Sequence, residues 1–107
     1  MKKDHLTYDL ISAVISDDEE RTHLLLAEGA NPNHSLDKAN VTPLHHAAQH
    51  NSLKTMSLLL NAGADVNART HPDDQTPLEI ALLHHFRQAA QLLSYYMQST
   101  AIPETAH

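Results

Sequence analysis

Slid along itself by 34 residues, this chain of 107 matches itself, and no other feature narrows the possible folds as far. Leu24-Leu25-Leu26-Ala27-Glu28-Gly29-Ala30-Asn31-Pro32-Asn33 falls on Leu58-Leu59-Leu60-Asn61-Ala62-Gly63-Ala64-Asp65-Val66-Asn67, and six of those ten pairs are identical. Thr42-Pro43-Leu44 falls on Thr76-Pro77-Leu78, and Ala47 on Ala81. Leu10 and Ala13 sit one period ahead of Leu44 and Ala47. The chain is therefore one unit written three times, with the first and last copies degraded. Such units bury their apolar faces on one another, and three is the usual minimum for a stable stack.

Each residue of the unit has a local physical reason. Thr42 and Thr76 suit helix N-caps, with Pro43 and Pro77 at the first helical position, where a missing N–H costs nothing. Thr76-Pro77-Leu78-Glu79 has the spacing of a capping box. A short helix follows with Leu44, Ala47 and Ala48 on one face. Asn51-Ser52, or Asp17-Asp18 in the first copy, breaks and restarts the chain. A second helix carries Met56, Leu59 and Leu60, or Leu25 and Leu26 in the first copy. Gly29 and Gly63 are the only glycines and share one repeat position, as expected for left-handed helix terminators. In the first copy Thr7 is an expected cap. Asp17 to Glu20 read as a solvated helix start, where the dipole favours carboxylates. The third copy lacks the glycine, so its last helix should run longer. Arg87, Gln88, Gln91 and Gln98 suit an outer face without a neighbour.

The stretch from Thr42 to Ala68, TPLHHAAQHNSLKTMSLLLNAGADVNA, resembles the ankyrin repeat. The signature T-P-L-H-x-A is present from Thr42 to Ala47, and the third copy reads TPLEIAL, with Glu79 in place of the His. The residues that mark a tetratricopeptide repeat, the other family with a period near 34, are missing. The resemblance runs from about Leu6 to Met97. It implies an all-α solenoid of stacked helix-turn-helix units with short β-turn or loop fingers. The single ankyrin-repeat domain would span 1–107, with repeats at about 6–36, 37–70 and 71–98 and a flexible tail at 99–107. Where the family has an Asp-Gly turn at the loop tip, this chain has Asn40 and Asp74, both tolerant of positive φ.

By the same resemblance, partner binding falls on loop tips at Ser35, Lys38, Ala39 and Val41 and at Arg69, Pro72, Asp73 and Gln75. On the groove side of the first helices it falls on Gln49, His50, Leu83 and His84, with Ile15 and Ser16 as first-copy counterparts. The implied function is a non-enzymatic module that binds a protein as an adaptor, inhibitor or regulatory subunit. The chain would need no cofactor, and a cytoplasmic monomer is the expected form, although the exposed edge repeats leave self-association open.

Composition trims the rival classes. Without Cys there are no disulfides, Cys-zinc sites or thiol catalysis. A net charge of −6, no Trp and one Phe argue against a nucleic-acid or membrane-surface binder and suit a basic protein partner. No apolar run approaches the roughly 18 residues of a membrane span. No Ser sits in a glycine-flanked nucleophile turn, and two helix-ending glycines cannot make a phosphate loop. The alternative function rests on ten His: a metal-binding or pH-responsive protein. His46 and His50 are spaced i, i+4, with His84 one repeat on, which makes these three the metal candidates. His45 has a structural reading through its motif, bonding loop backbone and the capping Thr. Protonating every His would carry the formal charge from −6 to +4.

Overall fold

Threonine, proline and left-handed residues divide the chain into helices at the repeat spacing. The structure, a computed structural model, describes residues 2–101, with side chains at 5–98. Six helices follow in order: α1 (Lys2–Ile15), α2 (Glu19–Ala27), α3 (Pro43–His50), α4 (Leu53–Asn61), α5 (Pro77–Leu83) and α6 (Arg87–Ala101). Strands are absent among the described residues. The first helices pack side by side in the order α1, α3, α5, and the second helices α2, α4, α6 form a parallel row behind them.

Both capping boxes close. Thr42 accepts from the His45 amide and Thr76 from the Glu79 amide, while the His45 and Glu79 side chains accept from the cap amides. Gly29 and Gly63 have φ of 106° and 98°, and a Cβ on either would meet nothing within 4 Å, so glycine is favoured there by backbone conformation alone. Asn40 and Asp74 take φ of 55° and 56°, so the finger turn survives without its glycine. Asp17, Asn51 and His85 are also left-handed and mark the bend inside each hairpin. Leu10, Leu44, Met56, Leu59 and Leu93 are fully buried, and Ala13, Ala47 and Ala81 let the first helices approach closely.

Four expectations change. Thr7 is not a cap: α1 starts at Lys2, which leaves Thr7 inside the helix with its hydroxyl 2.6 Å from His34 Nδ1. The acidic run is not uniformly solvated. Asp18 caps α2, but Asp17 reaches the next repeat, accepting from the Thr55 amide at 3.1 Å and its hydroxyl at 3.2 Å. Ser52, the local cap of α4, makes no side-chain cap bond, so the preceding repeat supplies it. Third, α6 is longer than its counterparts, as expected, yet it continues through Ala101, past the expected tail start at residue 99. The rest of that tail, 102–107, lies outside the described residues. Finally, the outer face at the third repeat is not purely polar, because Leu82 and Tyr95 are exposed there.

Candidate protein-binding groove

The groove is built where the two fingers meet the first helices. The fingers lie against each other: the His71 amide donates to the Ala39 carbonyl at 2.8 Å, and Asn40 Nδ2 donates to the Arg69 carbonyl at 2.8 Å. The second finger closes on itself, with Thr70 and Gln75 exchanging a backbone bond at 3.0 Å and a side-chain bond at 3.1 Å. The His71–Pro72 peptide at its tip is cis. At the finger bases Asn33 is a two-way tie. Its Nδ2 donates to the Gly63 carbonyl and its Oδ1 accepts from the Asp65 amide at 2.6 Å.

His45 anchors the second finger to α3. Its Nδ1 accepts from the Thr42 amide at 3.0 Å, which leaves the proton on Nε2. That Nε2–H points between the Ala68 and Gln75 carbonyls, 3.0 and 2.9 Å away, so one buried imidazole holds both sides of the finger. Burial lowers its pKa below the ordinary 6.5, opposed by the Gln75 and Ala68 carbonyls and by Asp65. His46 is half-buried where the third repeat has Ile80, and its Nδ1 is buried without a hydrogen-bond partner. Burial, then His50 and His45, lower its pKa as well, against a pull from Asp37.

A hollow of about 220 Å³ lies between the fingers and the helices, lined by Ala39, Val41, Gln49, Thr70, His71, Asp73, Gln75, Ile80, Leu83 and His84. Seven of the residues expected from sequence meet in it: Ala39, Val41, Gln49, Asp73, Gln75, Leu83 and His84. Leu83 is 64% exposed. The His84 ring stacks on Phe86 at 5.5 Å, which fixes its direction. A second hollow continues beyond it over Asp73, Asp74, Gln75, Glu79, Leu82 and Leu83, so the Leu pair is bordered by three carboxylates.

The remaining five expected residues lie elsewhere. His50 turns back along its own helix, its Nδ1–H donating to the His46 carbonyl at 3.1 Å. Arg69 pairs with Asp74 at 3.1 Å and borders a different hollow with Asn33 and Asp65. The Ser35 hydroxyl donates to the Asp37 carbonyl inside the first finger. Lys38 and Pro72 are exposed outside the hollow. Thr70, His71 and Ile80 were missed by sequence reasoning. Thr70 and His71 could have been found, since they lie between Arg69 and Pro72 on a finger already singled out. The metal candidates His46, His50 and His84 do not converge: among the described residues no group of three His, Asp or Glu could hold a metal ion. No helix among them is long and apolar enough to cross a membrane.

Comparison with known proteins agrees with this architecture. A family model described as ankyrin repeats in three copies matches residues 10–102. Ankyrin repeat and SOCS box protein 2 of Rattus norvegicus is 40% identical over 72 residues, which cover 65% of this chain and 11% of that protein. The Homo sapiens protein of the same name is 39% identical over the same length. The ARF GTPase-activating protein Git of Drosophila melanogaster is 34% identical over 88 residues, 82% of this chain and 12% of that protein. The chain thus spans only a small part of the length of these relatives. Three stacked hairpins, two closed Thr-Pro caps, paired fingers and the matching family model together establish that the chain belongs to the ankyrin-repeat family, whose repeats are protein–protein interaction modules.

Proposed function

We propose that this chain is a non-enzymatic binding module that holds a protein partner in the groove between its fingers and first helices, as an adaptor, inhibitor or regulatory subunit. The observation that carries this reading is Leu83, a large apolar side chain left 64% exposed at the rim of a hollow with polar Gln49, Asp73 and Gln75 around it. An apolar anchor with a polar surround is the anatomy of a protein interface. Asp73, Asp74 and Glu79 near the leucines, together with the net charge of −6, favour a partner that brings Lys or Arg beside an apolar side chain. The module is taken as one unit of three repeats at about 6–36, 37–70 and 71–98, acting in the cytoplasm without a cofactor or nucleic acid.

The test is affinity capture from a lysate of the source organism, comparing wild type with a Leu83→Glu/His84→Ala variant shown by circular dichroism to be folded. A protein captured by wild type and lost by the variant is then titrated calorimetrically against both. A weakening of at least tenfold supports the groove, whereas equal capture and equal affinity would place the binding site elsewhere.

A further inference from the structure

Two consecutive leucines join three hollows into one trough. Leu83 lines both the groove hollow and the one beyond it, and Leu82 lines that second hollow and a third, of about 570 Å³, between α5 and α6. The first and third share no residue, so the trough runs from the groove through the second hollow to the α5–α6 end of the stack. Glu79 lies three and four residues ahead of Leu82 and Leu83, which makes it their neighbour on the helix surface. Inner repeats have no such path. Val14 and Ala48, the counterparts of Leu82, are 0% exposed on first helices that pack against the next one, whereas Leu82 is 56% exposed. The last repeat therefore adds to the groove a surface that the others bury.

Charge is ordered along the trough. The second hollow holds the exposed carboxylates of Asp73, Asp74 and Glu79, and Arg69 pairs only with Asp74. In the third hollow the sign reverses. Arg87 is the only Asp, Glu, Lys or Arg lining it, is exposed, and pairs with no carboxylate among the described residues. Leu78, Phe86, Ala90 and Tyr95 line the same hollow with Leu82. The complementary ligand brings a cation to the second hollow, apolar side chains to Leu83 and Leu82, and an anion to Arg87.

We propose that one segment of a protein partner runs from the groove over Leu83 and Leu82 into the α5–α6 hollow, with Lys or Arg opposite Asp73 and Glu79, an apolar residue on Leu82, and Asp or Glu opposite Arg87. This rests on the groove reading above, carries it to the end of the stack and gives the order of residues in the bound segment.

Selection of a random peptide library, displayed on phage, against the full chain tests it. Peptides of about 12 residues reach roughly 40 Å when extended, beyond the 30 Å breadth of the molecule. The selected peptides should carry Lys or Arg, then an apolar residue, then Asp or Glu, in that order or its reverse. Made with a fluorescent label, they should bind about tenfold more weakly to Leu82→Glu and to Leu83→Glu, each shown by circular dichroism to be folded. Should Leu82→Glu fail to fold, Tyr95→Glu replaces it with the same expectation. Selection against Arg87→Glu should return Lys or Arg in place of the acid, an exchange that a change in packing alone would not produce. Weakening by Leu83→Glu with full affinity for Leu82→Glu and Arg87→Glu confines the ligand to the groove and overturns the extension alone. Full affinity for all three overturns the groove reading with it. Selection of no peptide, or of peptides without the ordered base and acid, also overturns the extension. So does a two-chain mass in sedimentation equilibrium that Leu82→Glu returns to one, which would give this face to a second copy.

Discussion

The second and third repeats start from the same Thr-Pro-Leu cap and diverge within one turn. In the second, the residue after Leu44 is His45, fully buried and bonded to two finger carbonyls. In the third it is Glu79, exposed, which serves only its own cap, its Oε1 accepting from the Thr76 amide at 3.0 Å. Both side chains close a capping box, so the local job is identical. The difference lies in the finger that follows. The second repeat has one to anchor, whereas in the third α6 continues through the position where Gly63 had turned the chain. A repeat position therefore acquires its meaning from the neighbour that covers it, and the same residue type is worth different amounts in adjacent copies.

Exchanging the pair is the severest test. His45→Glu would bury a carboxylate facing the Ala68 and Gln75 carbonyls with no donor to meet it, and should cost about 3–5 kcal/mol. Glu79→His should stay within about 1 kcal/mol, since a His in this place closes the same box. Urea denaturation of both variants measures the contrast. Equal costs would mean that the finger is held by something other than the imidazole. Next comes burial itself. Leu59→Ala, fully buried in the second repeat, should cost about 2–5 kcal/mol. Leu82→Ala, on the open face of the third, should stay within about 0.5 kcal/mol. A Leu59→Ala protein of unchanged stability would contradict the repeat register.

Much of this contrast was readable from residues, and the rest was unreadable for a definite reason. Caps, helix terminators and the inward Leu and Ala positions depend on local backbone chemistry and on helical period, and both are written into Thr42, Pro43, Gly63 and Leu59 themselves. The turn at Asn40 and Asp74 was legible for the same reason. What escaped depends on residues far apart in the chain. Asp17 looked like one of four solvated carboxylates because nothing near it reveals Thr55, 38 positions on. His50 was assigned to the groove from its place on the helix, but its rotamer is set by the His46 carbonyl. Seven of twelve groove residues met because finger and helix positions repeat. Lys38, Pro72, Ser35 and Arg69 did not, because the finger folds inward on itself and no period describes that.

Asp17 offers the next smaller effect. It caps α4 from the preceding repeat, so Asp17→Ala should cost about 1–2 kcal/mol, as loss of a good cap does. Asp18→Ala removes only the ordinary local cap of α2 and should cost about 1 kcal/mol. The comparison is sharpened by Asn51, which holds the same left-handed position at the bend inside the second repeat. If Asp17 matters only as a turn residue, Asp17→Asn will be neutral. If its charge caps α4, Asp17→Asn will recover part of the loss and no more.

The smallest expected effect is a slope. His45 and His46 both have folded pKa values held below the ordinary 6.5, chiefly by burial, so the unfolded chain binds protons more readily than the folded one. Their contribution to stability is therefore complete above about pH 6.5 and is lost as pH falls toward the folded values. Melting temperature should be level near pH 7 to 8 and decline on acidification toward pH 5. The third repeat shows how to separate the two rings, since it has Ile80 where the second has His46. His46→Ile should leave the pH 7.5 melting temperature equal or higher, because a buried Nδ1 without a partner is replaced by an apolar side chain. It should also make the acid decline shallower, leaving the part that belongs to His45. An unchanged decline would assign the whole acid sensitivity to the imidazole that anchors the finger, and would make the second repeat's difference from the third a matter of that one side chain.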